Sequence, residues 1–215
     1  MRKNLNFEFF HDILYVSNKG GNAMHEEYDG YDTVKEKLLV AGLTELQKYG
    51  INDFSLRRVA SACNVSCAAP YKHFKSKEAF IDEIFNYINS RWEMLQEQVL
   101  LAFEGDVKKQ ITETCITYIR FWIANPNFRA SLMSAKSSEE TPSVRASLNK
   151  SLGMLLNQHF ALQKADGTDM EKTVYVIRSL VYGALLMLED NELENKEETI
   201  ALIRSCIEKQ LEKEA

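Results

Sequence analysis

A cluster of positive side chains in one short stretch has the chemistry of a phosphate-binding surface. Its members, all within residues 55–77, are Arg57, Arg58, Lys72, His73, Lys75 and Lys77. Clustered Lys and Arg side chains bind a nucleic-acid backbone because they release the counterions condensed on its phosphates. The alternative is a solvated surface without a partner, and charge alone does not separate the two interpretations.

The net charge of the whole chain argues against nucleic-acid binding, but its distribution does not. The 215 residues include 26 Lys and Arg against 31 Asp and Glu, which gives a formal net charge of −5. Residues 31–80 contain 8 basic and 5 acidic side chains, whereas residues 81–215 contain 15 and 21. The sequence therefore combines a basic segment with an acidic remainder, which suits a protein that binds DNA through one part only.

Cys63, Cys67 and His73 could in principle ligate a metal or take part in catalysis. The cysteines have C-x3-C spacing and no second ligand pair follows, which disfavours a zinc site. His73 has no nucleophile or carboxylate at a usable spacing. We therefore expect no metal, no cofactor and no enzymatic activity. With Cys115 and Cys206, these cysteines are expected to be reduced thiols of a cytoplasmic protein.

The elements that position these residues are predicted to be helices. Apolar residues recur at three-and-four spacing almost throughout, and no alternating strand pattern of useful length occurs, so we expect an all-α fold of about nine helices. The first is expected from Thr33 to Gly50, and the next three are expected to be capped by Ser55, Ser66 and Ser76.

The remaining helices are predicted from further caps and stops. The fourth helix should end near Gly105. The later ones are expected from Asp106 to Ala124, from Asn125 through Phe128 to Met133, from Thr141 toward Gly167, from about Asp169 to Asp190, and after a capping box with Asn195 as its cap. The longest apolar run, 179–188, is well below the ~20 residues of a bilayer span, so no membrane segment is expected.

Residues 55–77 have the layout of a helix-turn-helix. Ala60 is small enough for two helices to approach closely, Asn64 tolerates the left-handed turn conformation, and Val65 can fill the space between the helices. From Leu38 to Ile84 the sequence resembles the tetracycline-repressor (TetR) family of bacterial transcription regulators. The matching residues are Leu38-Leu39, Ala41-Gly42, Tyr49-Gly50, Val59-Ala60, Asn64-Val65-Ser66, Tyr71-Lys72-His73-Phe74 and Lys75-Ser76-Lys77-Glu78.

Two positions depart from the family pattern. Asn64 takes the place of the usual turn glycine, and Pro70 takes the place of a more common aliphatic residue. Asn visits positive φ, and a proline near the start of a helix loses at most one hydrogen bond. Neither departure changes the interpretation.

The resemblance implies a DNA-binding domain over residues 31–78, whose third helix enters the major groove of double-stranded DNA. The residues implied to meet base edges or the adjoining backbone are Ser66, Cys67, Ala68, Ala69, Lys72 and His73. Tyr71 and Lys77 occupy positions where family members touch phosphate, and Arg57 and Arg58 are assigned to backbone contacts. Because the side chains of Cys67, Ala68 and Ala69 are short, DNA shape is expected to contribute to specificity.

The resemblance also implies that residues 79–215 bind an effector and form a dimer. The candidate pocket residues are Trp92, Phe103, Tyr118, Phe121, Trp122, Phe128, Met133 and Met154, with Arg120, Gln158 or His159 as a polar anchor. Each aromatic residue taken singly could instead be ordinary core. Together they favour an apolar pocket for a small, lipophilic effector that is still unidentified.

The last two helices are implied to pair with their symmetry mates in a homodimer. The candidate interface residues are Ile177, Val181, Ala184, Leu185, Leu188, Ile203 and Ile207, and the alternative is burial within one subunit. A two-fold dimer presents two recognition helices about one DNA turn apart, so the operator is expected to be palindromic.

The function implied is that of a ligand-responsive regulator, a repressor that an effector releases from its operator. The alternative is a helical small-molecule-binding protein or enzyme whose basic segment is only a docking surface. Residues 1–30 match no element of the family. Met24 is a candidate for the physiological start, because Lys19-Gly20-Gly21 is what a ribosome-binding site would encode, and a genuine N-terminal extension is the alternative.

Overall fold

The computed structural model describes residues 33–125, 144–163 and 167–212, and within these ranges the chain is helical without a strand. The helices are α1 (Val34–Tyr49), α2 (Leu56–Ala62), α3 (Ala69–His73), α4 (Lys77–Ala102), α5 (Val107–Ala124), α6 (Val144–Gln163), α7 (Gly167–Glu189) and α8 (Glu197–Gln210). The predicted all-α fold is confirmed. The short helix predicted to reach Met133, the cap predicted at Thr141 and the segment 1–30 lie outside the described residues.

Local chemistry sets the ends of α1 and the start of α2 as predicted. The Thr33 hydroxyl accepts a hydrogen bond from the Glu36 amide at 3.2 Å. At the other end of α1, Gly50 has φ +74°, a left-handed conformation that favours glycine. The Ser55 hydroxyl then accepts from the Arg58 amide at 3.4 Å and caps α2.

Two later caps are also confirmed. Ser76 Oγ accepts from the Ala79 amide at 3.1 Å at the start of α4, and Asp106 Oδ1 accepts from the Lys109 amide at 3.1 Å at the start of α5. This hydrogen bond lowers the pKa of Asp106, because it stabilises the charged carboxylate. Gly105, with φ +86°, forms the turn between these two helices.

Two predicted caps are wrong. The N-cap of α3 is Ala68, whose side chain makes no capping bond, and Ser66 contributes only its carbonyl, which accepts from the Ala69 amide at 2.8 Å. The N-cap of α8 is Lys196, again without a side-chain bond, so the cap predicted at Asn195 lies one residue too early. Pro70 has no amide hydrogen, which leaves one donor fewer to cap in the first turn of α3.

Contacts divide the described chain into two units, and the division falls between Arg91 and Trp92, within α4. The sequence placed the boundary earlier, after residue 78. We call residues 33–91 the N-terminal unit, and residues 92–124, 144–163 and 167–212 the C-terminal unit. None of the helices in the described ranges has the length and apolar composition that a membrane crossing needs.

The core of the N-terminal unit is built on aromatic rings. The rings of Phe74 and Phe80 meet edge to face with centroids 4.2 Å apart, and Phe54 lies 5.7 Å from Phe80. Gly42 lies directly against Phe80, and a Cβ at this position would collide with the ring. The close approach of α1 to this cluster therefore requires glycine, and it holds α1 and the start of α4 together.

The C-terminal unit is organised around α5, which contacts α6, α7 and α8. Residues on almost every side of α5 are buried, among them Ile111, Cys115 and Ile119. Two ion pairs join α8 to α5: Arg120 donates to both oxygens of Glu197 at 2.7 and 3.0 Å, and Arg204 pairs with Glu113. A helix surrounded in this way is positioned by packing rather than by intrinsic helix propensity.

Candidate nucleic-acid interface

Helices α2 and α3 form the helix-turn-helix that the sequence predicted. Asn64 has φ +55°, the left-handed conformation expected of the turn residue. The Val65 amide donates to the Ala60 carbonyl at 3.0 Å, and Ala60 is completely buried. Val65 itself is half-buried. These features bend the chain sharply between two short helices, so that α3 lies across the end of α2.

Helix α3 is held from one side and exposed on the other. Pro70 and Phe74 are buried, which anchors the start and the end of the helix to the core. Tyr71 is 62% exposed, and Lys72 and His73 beside it are also exposed. Pro70, which departs from the family pattern, thus anchors α3 to the core.

Most of the residues implied to meet DNA bases are exposed. We call them the α3 surface, and they are Ser66, Cys67, Ala68, Tyr71, Lys72 and His73. Ala69 is half-buried and lies behind it. An exposed tyrosine hydroxyl, a lysine ammonium and an imidazole side by side are suited to phosphate oxygens and to base acceptors.

Lys77 and Arg57 lie outside α3. Lys77 begins α4 and is half-buried, with its ammonium 5.9 Å from the centroid of the Phe54 ring. That cation–π contact positions the side chain and leaves its positive charge available to an anion. Arg57, on α2, is exposed.

Arg58 differs from Arg57 because its guanidinium is bound within the N-terminal unit. Its Nε donates to Glu45 Oε1 at 2.7 Å, a second nitrogen donates to the Asp53 carbonyl, and its Cζ lies 4.2 Å from the centroid of the Tyr49 ring. The Glu45 hydrogen bond raises the pKa of Arg58, because it stabilises the charged form. These contacts hold α2 against α1.

The carboxylate in this arrangement is buried. Glu45 is only 7% exposed, and its Oε1 also accepts from the Ser55 amide at 3.1 Å. We call Glu45, Arg58 and their contacts the Glu45 clamp. The sequence contained one signal for it that was not used: Glu45 is an acidic residue within the apolar stripe of α1.

The two cysteines of the helix-turn-helix have different environments. Cys63 is half-buried, its thiol donates to the Lys37 carbonyl at 3.4 Å, and burial raises the pKa of this thiol to about 11. Cys67 is exposed on the α3 surface. Among the described residues, no group of His, Cys, Asp or Glu side chains is arranged to hold a metal ion.

Four of the predicted pocket residues form an aromatic cluster in the C-terminal unit. The Trp92 ring lies 5.3 Å from Tyr118 and 5.8 Å from Phe121, and Tyr118 stacks on Trp122 at 5.9 Å, with all distances between ring centroids. All four are buried. Phe103 is half-buried.

Other predicted pocket residues lie elsewhere. Met154 is 61% exposed, because it is on the outer side of α6. Of the predicted anchors, Arg120 binds Glu197 and Gln158 is exposed. His159 is buried, and burial is the main cause that lowers its pKa. Phe128 and Met133 lie outside the described residues.

The seven residues predicted for the dimer interface are buried inside the C-terminal unit. They are Ile177, Val181, Ala184, Leu185, Leu188, Ile203 and Ile207. They cannot form a surface for a second subunit, so the alternative of burial within one subunit applies to them. The exposed large apolar residues of α7 and α8 are Tyr175, Leu186, Met187 and Leu202. The apolar run 179–188 covers several sides of α7, so the sequence did not indicate which side of this helix faces the core.

Among the buried polar residues that the sequence analysis did not predict are Gln96 of α4 and Thr114 of α5. Gln96 lies on the apolar stripe of α4, one helical turn from Trp92, and a polar residue on such a stripe is a signal in itself.

Comparison with known proteins agrees with the geometry of the N-terminal unit. Residues 38–84 match the family model described as "Bacterial regulatory proteins, tetR family". The chain is also 26% identical over 98 residues to the "Probable acrEF/envCD operon repressor" of Escherichia coli strain K12 and, equally, of strain O157:H7. The match covers 46% of this chain and 44% of each relative, so it spans less than half the length of these curated proteins.

Solved structures share the fold over most of the chain. A protein of unknown function from Rhodococcus sp. RHA1 has a TM-score of 0.68 at 17% identity, over 86% of this chain and 98% of that one. A Rhodococcus sp. protein assigned as a TetR-family transcriptional regulator has a TM-score of 0.59 at 19% identity, over 83% and 98%. The matching family model and the Escherichia coli relatives are described as regulatory proteins and repressors rather than as enzymes. Residues 38–84 are thus similar to the tetR family of bacterial regulatory proteins, and the rest of the chain shares only its fold with the solved structures.

Proposed function

We propose that the protein is a ligand-responsive transcriptional repressor that binds a palindromic DNA operator as a homodimer. The observation that carries the proposal is the α3 surface, where Tyr71, Lys72 and His73 are exposed on a helix anchored from behind by Pro70 and Phe74. The repressor role is supported by the printed name of the Escherichia coli relatives.

The exposed residues of the N-terminal unit would make two kinds of contact with DNA, some to phosphates and some to base edges. The Tyr71 hydroxyl and the Lys77 ammonium bind phosphate oxygens and set the position of α3 along the major groove. Lys72 and His73 reach base edges, where Lys donates to guanine acceptors. Arg57 adds a backbone contact from α2, whereas Arg58 serves the fold through the Glu45 clamp.

The homodimer would use the outer sides of α7 and α8. Tyr175 and Leu186 lie on one side of α7, with Ser179 and Tyr182 between them at three-and-four spacing, and Leu202 is exposed on α8. An apolar stripe of this kind on the outside of a subunit is suited to two-fold pairing with itself. Such a pairing presents two α3 surfaces to one DNA site, which is why the operator is expected to be palindromic.

The effector would bind in the C-terminal unit, near the buried aromatic cluster of Trp92 and Tyr118. The effector releases the DNA only if it binds more tightly to a conformer whose α3 surfaces do not fit the operator. The resulting loss of DNA affinity cannot exceed the difference between the effector's affinities for the two conformers. Helix α4 contributes residues to both units.

Footprinting on the DNA that flanks the protein's own gene tests the proposal. The wild type is expected to protect a palindrome, and a variant with both Tyr71→Ala and Lys77→Ala is expected to lose protection at the same concentration. Lys150→Ala, which removes an exposed lysine of α6, serves as the matched control and should protect as the wild type does. No protected palindrome, or full protection by the double variant, would favour a small-molecule-binding protein instead.

A further inference from the structure

Four polar side chains of the C-terminal unit are buried and lack hydrogen-bond partners among the described residues. One of them, Thr112, lies on the opposite side of α5 from Thr114. The unpaired atoms of the other three are Trp92 Nε1, Gln96 Nε2 and Thr114 Oγ1. Their residues are 0%, 6% and 0% exposed. Buried polar atoms are nearly always hydrogen-bonded, because an unpaired one retains the cost of its lost hydration. Three in one region therefore require an explanation.

Two contacts fix how α4 and α5 lie against each other in this region. Near the turn, Gln110 Nε2 donates to the Leu100 carbonyl at 2.8 Å. Farther from the turn, the rings of Trp92 and Tyr118 meet edge to face with centroids 5.3 Å apart. The two helices are therefore an antiparallel pair whose register is the same at both contacts.

This register places the residues of the unpaired groups on adjacent turns of the helix pair. Gln96 lies one helical turn from Trp92 toward the turn between the helices, and Thr114 lies one turn from Tyr118 in the same direction. The two are consequently level with each other. Thr114 shares the side of α5 that carries Tyr118 and Phe121, both of which contact the Trp92 ring.

The chemistry of the three groups defines what could satisfy them. An indole nitrogen and an amide nitrogen only donate hydrogen bonds, and a threonine hydroxyl can donate as well. The neighbouring surface is aromatic, from Tyr118 and Phe121. Within the described ranges of the C-terminal unit, no Asp, Glu, Lys or Arg is among the buried residues, so a buried ionic ligand would have no counter-charge.

We propose that α4 and α5 form a binding site for a neutral aromatic molecule that carries a carbonyl oxygen. The oxygen accepts hydrogen bonds from Gln96 Nε2, Thr114 Oγ1 and Trp92 Nε1, and the rest of the molecule packs on the aromatic rings. The inference rests on the proposed function, because it specifies the chemical class of the effector.

Matched ligand pairs test the role of the oxygen. Calorimetry with the full chain, without DNA, compares acetophenone with ethylbenzene and benzophenone with diphenylmethane. At least one ketone is expected to bind about tenfold more tightly than its hydrocarbon partner, because the ketone pairs with buried donors that the hydrocarbon leaves unpaired. Equal affinities within both pairs, or no binding by any of the four, would overturn the proposal.

Matched variants then locate the site. Gln96→Met and Thr114→Val keep the shape of each side chain and remove its hydrogen-bonding group, and both are expected to reduce the preference for the ketone to nearly one. Thr112→Val is the control, because Thr112 is also buried with an unpaired hydroxyl but lies on the opposite side of α5 from Thr114. An equal effect of all three variants would contradict this location.

The indole of Trp92 provides a direct readout that does not depend on affinity. The chain contains 2 tryptophans, so a 15N spectrum has two indole signals, and Trp122→Phe assigns them. The Trp92 N–H signal is expected to move downfield with the ketone and not with the hydrocarbon, while that of Trp122 stays in place. A Trp92 signal that is identical with both would exclude its hydrogen bond.

The two proposals can fail separately. Footprinting with Gln96→Met and Thr114→Val is expected to give the wild-type DNA protection, since both residues belong to the C-terminal unit. Loss of ketone preference with intact protection supports this inference. Absence of any protection by the wild type would refute the regulator proposal, while the calorimetry would still judge the binding site.

Discussion

Two buried polar sites, one in each unit of the chain, differ in how their groups are paired. In the N-terminal unit, buried Glu45 accepts hydrogen bonds from Arg58 and from the Ser55 amide. In the C-terminal unit, buried Gln96 and Thr114 retain atoms without partners among the described residues. A fully paired network holds one geometry, whereas unpaired donors lower stability unless something binds to them. The difference is what the proposed roles require, because a DNA-binding surface needs one fixed geometry and an effector site needs groups that a ligand can pair with.

Breaking the Glu45 clamp is expected to have the largest effect on stability. Glu45→Gln retains the shape of the side chain but removes the charge that Arg58 and the Ser55 amide share, so the free energy of unfolding should fall by about 2 kcal/mol in urea titrations. Glu83→Gln is the matched control, because the Lys35–Glu83 pair has both side chains more than 40% exposed. It should cost less than about 1 kcal/mol. Equal losses would show that the clamp is no stronger than a surface pair.

Replacing an unpaired hydroxyl should have the opposite sign to replacing a paired one. Thr114→Val removes a buried group that lacks a partner, and the free energy of unfolding should rise by about 1 kcal/mol. Thr44→Val in the N-terminal unit removes a hydroxyl that donates to the Val40 carbonyl at 3.1 Å, and should lower it by about 1 kcal/mol. Destabilisation of similar size by both would remove the contrast between the units.

A smaller effect is expected from mild acid. Burial lowers the pKa of His159 below its usual value of 6.5, so the unfolded chain binds more protons in this range and stability falls as the pH falls. The loss between about pH 7 and about pH 6 is at most about 0.7 kcal/mol for one histidine. Urea titrations of His159→Gln should lack this slope, while those of His73→Gln, on the exposed α3 surface, should retain it. If both variants keep the same dependence of stability on pH, a group other than His159 causes it.

Sequence predicted the parts of the fold that depend on neighbouring residues. The caps at Ser55 and Ser76, the stop at Gly50 and the left-handed Asn64 each follow from one residue acting on adjacent backbone. The α3 surface was predicted for the same reason, since it lies within one continuous stretch of chain.

The parts that sequence did not predict depend on residues distant along the chain. Arg58 was assigned to DNA, but its partner Glu45 lies on another helix. The inward side of α7 is set by packing on α5, α6 and α8, and an apolar run on several sides of a helix does not specify it. Gln96 and Thr114 became a site only when the register of α4 against α5 was known.

The salt dependence of DNA binding tests the central claim, that the N-terminal unit binds DNA through the α3 surface and Lys77. Fluorescence anisotropy with the protected DNA would give the slope of log affinity against log salt for the wild type, Lys77→Ala and Lys150→Ala. We expect a steep slope for the wild type, one smaller by about one for Lys77→Ala, and the wild-type slope for Lys150→Ala. Identical slopes for all three proteins, or binding that does not depend on salt, would contradict the claim.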